Sequence, residues 1–413
     1  MSSPPTHCEV AIVGGGMVGA SLALALAGSG RAVVLIEAQP IAGVSHGSFD
    51  QRTTALGNGA RRIYQTLGVW PALAQQAAPI RHIHISDAGR FGFARLDAGQ
   101  HELEAFGYTV SNRHLGNVLW EALEARGGIE LWQEAEVTAA ELGIDAAMLT
   151  VRMGAGERRL SARLVVAADG ADSIIKRVAG IVSDASPYQQ IALVSTVRSD
   201  CPSHDIAYER FTDSGPLALL PRYDQSHALI WTLPPTLVPE LLACSESEFC
   251  QRLQQRFGWR AGRFLQAGRR ASYPLQLIRA RSSIGLRAAL IGNASQALHP
   301  VAAQGFNLGL RDAAVLAELI TASGDPGAAP LLGEFDRRRA SDRRSIIAFT
   351  DRLVRLFADP RAPIGAARDL GLLLFDVTMP AKRALSRISW GFGAMPRLSR
   401  GLPLDAAATL RRP

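Results

Sequence analysis

Cysteine and lysine are scarce in this chain of 413 residues. The four cysteines, Cys8, Cys201, Cys244 and Cys250, form no CxxC pair. That argues against a disulfide framework or a thiolate metal site and reads as idle thiols in a reducing cytosol. Lys176 and Lys382 are the two lysines among 44 basic residues, an arginine bias better read as genome composition than as function. No stretch reaches the roughly 18–20 uninterrupted apolar residues of a membrane span. Residues 1–9 lack a basic segment followed by an apolar one, so no secretory leader is expected. Internal repeats and low-complexity segments are absent, and a single full GxGxxG occurs.

The charge that is present is uneven. Formal net charge is +7, but residues 337–413 alone carry +10 and the remainder −3. A local basic excess can attract an anionic surface. No nucleic-acid reading motif or aromatic-rich basic groove accompanies it, so nucleic acid is not an expected partner.

The N-terminal third reads as a dinucleotide-binding unit. Cys8–Val13 is a buried strand, Val18–Ala27 a helix and Ala32–Ile36 a second strand. Between the first strand and the helix lies Gly14-Gly15-Gly16-Met17-Val18-Gly19. Gly14 permits the tight turn, Gly16 lets backbone approach a pyrophosphate, and Gly19 allows close helix–strand packing. The helix N-terminus offers free N–H groups to phosphates. Glu37 ends the second strand, where a carboxylate can accept both ribose hydroxyls of an adenosine and repel a 2′-phosphate. That favours FAD or NAD over NADP at this site.

Further on, Arg61–Leu67 and Asn112–Ala125 look helical, and Ile80–Ser86 alternates as a strand does. Leu164–Ala168 is another core strand, ending at Asp169-Gly170, either a ligand-facing carboxylate or a plain turn. Ile191–Val197, Ile206–Phe211, Leu217–Pro221 and Ala228–Leu233 are short strands suggesting an antiparallel sheet, interrupted by a helix at Glu246–Phe257. Ala288–Ile291 returns to a buried strand and leads into Gly292-Asn293. His299-Pro300 and Gln304-Gly305-Phe306-Asn307-Leu308-Gly309 then open a helix at Leu308–Ile320, with small residues that let backbone N–H groups approach a ring or phosphate.

These three motifs together resemble those of the flavin-dependent aromatic hydroxylases of the para-hydroxybenzoate hydroxylase type, over residues 10–392. Within that family the chain looks most like the branch that hydroxylates 2-octaprenyl-6-methoxyphenol in aerobic ubiquinone biosynthesis. The supporting segments are Ser48–Arg52, Tyr208–Thr212, Gly215–Ala218, Phe257–Arg260 and, most specifically, Leu298–Gly309. The resemblance implies tightly bound FAD, transient NAD(P)H and O2 as co-substrate. It implies oxygen transfer through a C4a-hydroperoxyflavin to a polyprenyl phenol. It also implies that Arg52 and Arg113 contact FAD, that Gly292 and Asn293 meet the ribityl chain, and that Pro300 and Gly305–Leu308 line the flavin ring. Most relatives have Asp where Asn293 stands and Arg where Lys176 stands; the latter leaves NAD(P)H contact there in question, with Arg177 adjacent.

The expected fold is α/β. A Rossmann-like FAD-binding domain (residues 1–182 and 278–334) carries an inserted antiparallel-sheet substrate domain (183–277) and a helical C-terminal region (335–413). Strands within 80–110 could belong to the substrate domain. Because the cofactor carries the chemistry, neither a metal nor a nucleophilic triad is expected. His299 reads as a backbone-bonded histidine or, alternatively, as a group steering the phenol or a proton. His82 and His84 read as the polar face of a strand. Ile364–Leu374 and Lys382–Phe392 form a basic amphipathic pattern, compatible with a membrane surface, a lipid-carrying complex, or packing on the core. The expected location is cytoplasmic, peripheral at the inner membrane or within a soluble biosynthetic complex; oligomeric state is left open. Alternatives are a related hydroxylase acting at another ring position or on a soluble phenol, and a non-catalytic flavoprotein scaffold.

Overall fold

The structure is a computed structural model describing residues 5–40, 52–301, 304–358 and 396–404. Ser48–Gln51 and both amphipathic tail segments lie outside the described residues, as do Ala302 and Ala303.

The first layer is a mainly parallel sheet, with Ile284–Gly285 antiparallel at one edge. Its order is Ile284–Gly285, Ala288–Leu290, Gly156–Ala167, Thr6–Val13, Val33–Ile36 and Glu130–Trp132, with Ala135–Leu142 and Ala147–Met153 as an antiparallel extension. Thr6–Val13 pairs in parallel with Gly156–Ala167 on one side and Val33–Ile36 on the other. Both faces of such a strand are covered, so Val10–Val13 is apolar without alternation. Helix Met17–Leu26 is buried from Gly19 to Leu26, wedged in the core shared with helices Asn112–Arg126 and Gln304–Ala322.

The second layer is a nine-stranded sheet ordered Gln296–Ala297, Ala271–Ala280, Ser183–Ser199, His227–Leu233, Gly215–Pro221, Ile206–Thr212, His82–Asp87 and Phe93–Asp97, with Phe264–Ala267 off the edge of Ser183–Ser199. It is antiparallel except where His82–Asp87 runs parallel to Ile206–Thr212. Strands from the 80–100 region thus extend this sheet, and Ala271–Ala280 carries it past residue 277. Helix Glu246–Phe257 covers one face with Phe249, Leu253 and Phe257 against Leu217, Leu229 and Trp231. A three-stranded antiparallel sheet, Thr53–Gly57, Gly107–Ser111 and Ala78–Ile80, completes the strands.

His82 and His84 do not share a solvent face. His84 is 7% exposed, stacked on Phe93 at 6.2 Å and hydrogen-bonded to Arg260. Burial and the neighbouring arginine push its imidazole down to about 4.

The helical C-terminal region begins at Ala329, in one helix running to Ala358. An ion network locks it to helix Gln304–Ala322. Asp312, fully buried, pairs with Arg339 at 2.7 Å and Arg343 at 3.3 Å, and Asp342 pairs with Arg311 at 2.8 Å. Gln296 donates to the other Asp312 oxygen at 2.9 Å.

Candidate active site

The glycine loop is shaped by its neighbours. Gly14 has φ +100°, and a Cβ there would stand 2.5 Å from the Ala168 carbonyl oxygen. A Cβ on Gly19 would meet the Gly14 carbonyl at 1.9 Å. Only glycine lets the helix seat this close to the loop. Trp120 buttresses the turn, its Nε1 donating to the Gly15 carbonyl at 3.0 Å. Sequence reasoning missed Trp120, because its partner lies 105 positions away. Gly16 is the N-cap of helix Met17–Leu26 and supplies no capping side chain. The uncapped helix start borders a cavity, the arrangement that favours an anion.

Glu37 is 6% exposed. Its Oε2 accepts from Gly15 N–H at 2.6 Å and its Oε1 from Gln39 N–H at 2.8 Å. The carboxylate therefore braces the loop and still borders the cavity. Asp169 Oδ2 accepts from Ile174 N–H at 3.1 Å, whereas Oδ1 is buried with no hydrogen-bond partner among the described residues. Burial pushes this carboxyl above its ordinary range, against the opposing pull of nearby Ser173.

The third motif docks on the first. A Cβ on Gly309 would sit 2.9 Å from the Gly292 Cα and 3.1 Å from Val18 Cγ2, and one on Gly292 would touch Val18 at 3.3 Å. Residues almost 300 positions apart are thus in van der Waals contact. The Asn307 side chain clamps strand Thr53–Gly57, accepting from Gly57 N–H at 2.8 Å and donating to the Ala55 carbonyl at 2.9 Å.

One cavity of about 1510 Å³ runs between the layers. Gly14, Gly16, Glu37, Arg52, Asp169, Gly170, Gly292, Asn293, Pro300, Gly305, Phe306, Asn307 and His299 all line it. Gly19, Arg113 and Leu308 do not. Gly19 is spent on packing, Arg113 lies on helix Asn112–Arg126, and Leu308 is fully buried. Lys176 is turned inward, hydrogen-bonded to the Ala171 carbonyl, while Arg177 reaches the cavity wall.

His299 is backbone-bonded and lines the cavity. Its Nδ1 accepts from Val301 N–H at 3.1 Å, and its ring meets Tyr188 edge-on at 5.0 Å. Its Nε2 has no hydrogen-bond partner among the described residues. Burial pushes it down to about 4, so the imidazole is neutral near pH 7.

The opposite wall is the nine-stranded sheet. Ile85, Glu209, Ala218 and Ile230 form one row across four strands. Phe211 extends this wall, and Phe349, Leu353 and Phe357 from the long helix close one end. Sequence periodicity could not place that helix here, because nothing local encodes its return to the cavity.

The cavity suits a flavin dinucleotide. An uncapped helix start borders it, a buried carboxylate oxygen of Asp169 has no hydrogen-bond partner among the described residues, and a Cβ on Gly305 would have no neighbour within 4 Å. Comparison with known proteins agrees. A family model described as FAD binding domain matches residues 7–350. Ubiquinone hydroxylase UbiL of Rhodospirillum rubrum is 38% identical over 405 residues, covering 96% of this chain and 93% of the relative. The 3-demethoxyubiquinol 3-hydroxylase of Escherichia coli is 31% identical, covering 95% of this chain and 100% of the relative. Among solved structures, p-nitrophenol 4-monooxygenase PnpA from Pseudomonas putida superposes with a TM-score of 0.78 at 19% identity, over 93% of this chain and 99% of that one. Fold, cavity and relatives converge: the chain belongs to the FAD binding domain family and is an FAD-dependent monooxygenase.

Proposed function

We propose that the chain hydroxylates a polyprenyl phenol in ubiquinone biosynthesis, converting a 2-polyprenyl-6-methoxyphenol to the benzoquinol. The observation that carries this reading is the pairing of surfaces in one cavity: a polar floor built from three cofactor motifs and an apolar sheet wall. A soluble phenol would not need so much apolar wall. The names of the relatives from R. rubrum and E. coli support the same pathway.

In this reading the glycine loop and the first turn of helix Met17–Leu26 hold the pyrophosphate, and Glu37 the adenosine ribose. Asp169, Gly292 and Asn293 meet the ribityl chain, with Arg52 nearby. Pro300 and Gly305–Asn307 flank the ring. Bound FAD supplies the activation of O2 at the expense of NAD(P)H. The chain's own residues do the rest. Phe211, Phe349, Leu353 and Phe357 exclude water from the reacting end, and the sheet wall holds the ring and the start of the prenyl chain. Among the described residues no helix is long and apolar enough to cross a membrane. We further propose that the chain meets its substrate at a membrane surface or on a lipid-carrying partner, through the basic segment 382–392; residues 396–404, by contrast, pack on the core, with Leu398 and Leu404 buried there.

Hydroxylation at another ring position is a second reading, favoured by the E. coli relative, whose name places it at position 3. The test supplies NAD(P)H, O2 and either 2-polyprenyl-6-methoxyphenol or 3-demethoxyubiquinol, and assigns the product by NMR. The first reading expects turnover of the methoxyphenol with the new hydroxyl para to the existing one. Exclusive turnover of 3-demethoxyubiquinol would overturn it.

A further inference from the structure

The cavity wall contains a charge that the cofactor motifs do not use. Glu209 lies mid-strand in Ile206–Thr212, in the row Ile85–Glu209–Ala218–Ile230. Its side chain makes no hydrogen bond or ion pair among the described residues. It is partly buried and lines the cavity, and burial alone pushes the carboxyl up to about 7. An unpaired carboxylate in an apolar wall is costly and has no structural return within the fold. It needs a partner that arrives with a ligand.

We propose that Glu209 is the catalytic base for the substrate's phenol, accepting the hydrogen bond of the phenolic hydroxyl and then its proton. This rests on the phenol hydroxylase reading above. In the step, the phenolic O–H bond breaks and a carboxyl O–H bond forms. The O–H electron pair stays on the substrate, so the negative charge passes from carboxylate to phenolate. A phenolate ring is more electron-rich and takes up an electrophilic oxygen atom more readily. The proton returns when the product leaves. A base that titrates near working pH suits this task.

The neighbouring groups do not supply an alternative. The flanking strands present Ile83, Ile85, Ala218 and Leu220 to the cavity. Tyr208 and Arg210 lie beside Glu209 on its own strand, and His84 on the next. Tyr188, His299 and Asp351 are the titratable groups toward the long helix and the third motif. None of these contributes to the shift at Glu209. His299, neutral and donor-poor on its bonded side, can at most relay.

The test uses the flavin-loaded protein and a 2-methoxyphenol bearing a short prenyl chain. Wild type should bind the probe with a phenolate difference band that grows as pH rises through the carboxyl's range, and kcat/KM should rise along the same limb. Glu209→Gln should keep its flavin, lose the band and the limb, and fall about 100-fold in kcat/KM. Glu209→Asp should restore part of each. Wild-type turnover with an unchanged band and pH limb in Glu209→Gln would overturn this assignment alone. A wild type that retains flavin yet neither binds nor hydroxylates the probe would overturn both the assignment and the function reading.

Discussion

At the scale of single residues, Glu37 has the most sharply defined structural task. Two backbone N–H groups, of Gly15 and Gln39, converge on its two oxygens. Glu37→Gln keeps one acceptor but turns an NH2 group toward a donor. Leaving one buried N–H unpaired should cost about 1–3 kcal/mol, read by urea unfolding of the flavin-free protein. Unchanged stability would mean the loop does not depend on this brace. The spacing of Gly14, Gly16 and Gly19 and the position of Glu37 were legible in sequence because one βαβ unit encodes them locally. Glu209 was visible as a residue but not as a feature. Which face of a strand lines a cavity depends on what packs beside it: Ala218 is the neighbour across a local hairpin, but Ile85 comes from a strand far earlier in the chain. His84 misled for a related reason: alternation marked it polar, yet Arg260 and Phe93 cover that face.

At the scale of elements, capped helices were the most legible. Helix Glu246–Phe257 is bounded by Ser245, whose hydroxyl accepts from Glu248 N–H at 3.2 Å, and by Gly258 with φ +83°. Strand Ser183–Ser199 was readable only from Ile191 onward. Its first half is polar and contains Pro187, and it is a strand because Ala271–Ala280 pairs with it across a bulge. The helix-to-helix ion network was also hidden, since charge runs normally read as solvated faces. Here Arg339 and Asp312 are each fully buried. Asp312→Ala would leave buried Arg339 with Asp342 at 2.7 Å as its remaining carboxylate and would take from Arg343 its buried partner, and should cost about 3–5 kcal/mol in chemical denaturation. A loss under about 1 kcal/mol would show that Asp342 alone suffices.

At the scale of the whole molecule, charge and acid response follow from burial. The basic excess after residue 336 is partly neutralised in place: Arg338, Arg339 and Arg343, and on the surface Arg337 and Arg355, are each paired with a carboxylate. These arginines are therefore poor candidates for an anion-binding stripe, which shifts that expectation to the tail beyond the long helix. His84, His227 and His299 are each pushed down to about 4 by burial. Their unfolded values lie near ~6.5, so between there and about 4 the unfolded chain binds more protons and acidification destabilises. Glu209 and Asp169, both raised, act in the opposite sense but are outnumbered. The urea midpoint should fall as pH is lowered from about 7 to about 4.5. A flat or rising midpoint would mean these histidines are hydrated in solution.

The central claim is that segments from both ends of the chain close on one flavin. Gly305 tests it, because it lines the cavity and a Cβ there would meet nothing within 4 Å. The measurement is flavin content of purified Gly305→Leu, with its circular dichroism as the control for folding. We expect a folded, colourless protein beside a yellow wild type. A folded variant carrying as much FAD as wild type would place the flavin elsewhere and contradict the account.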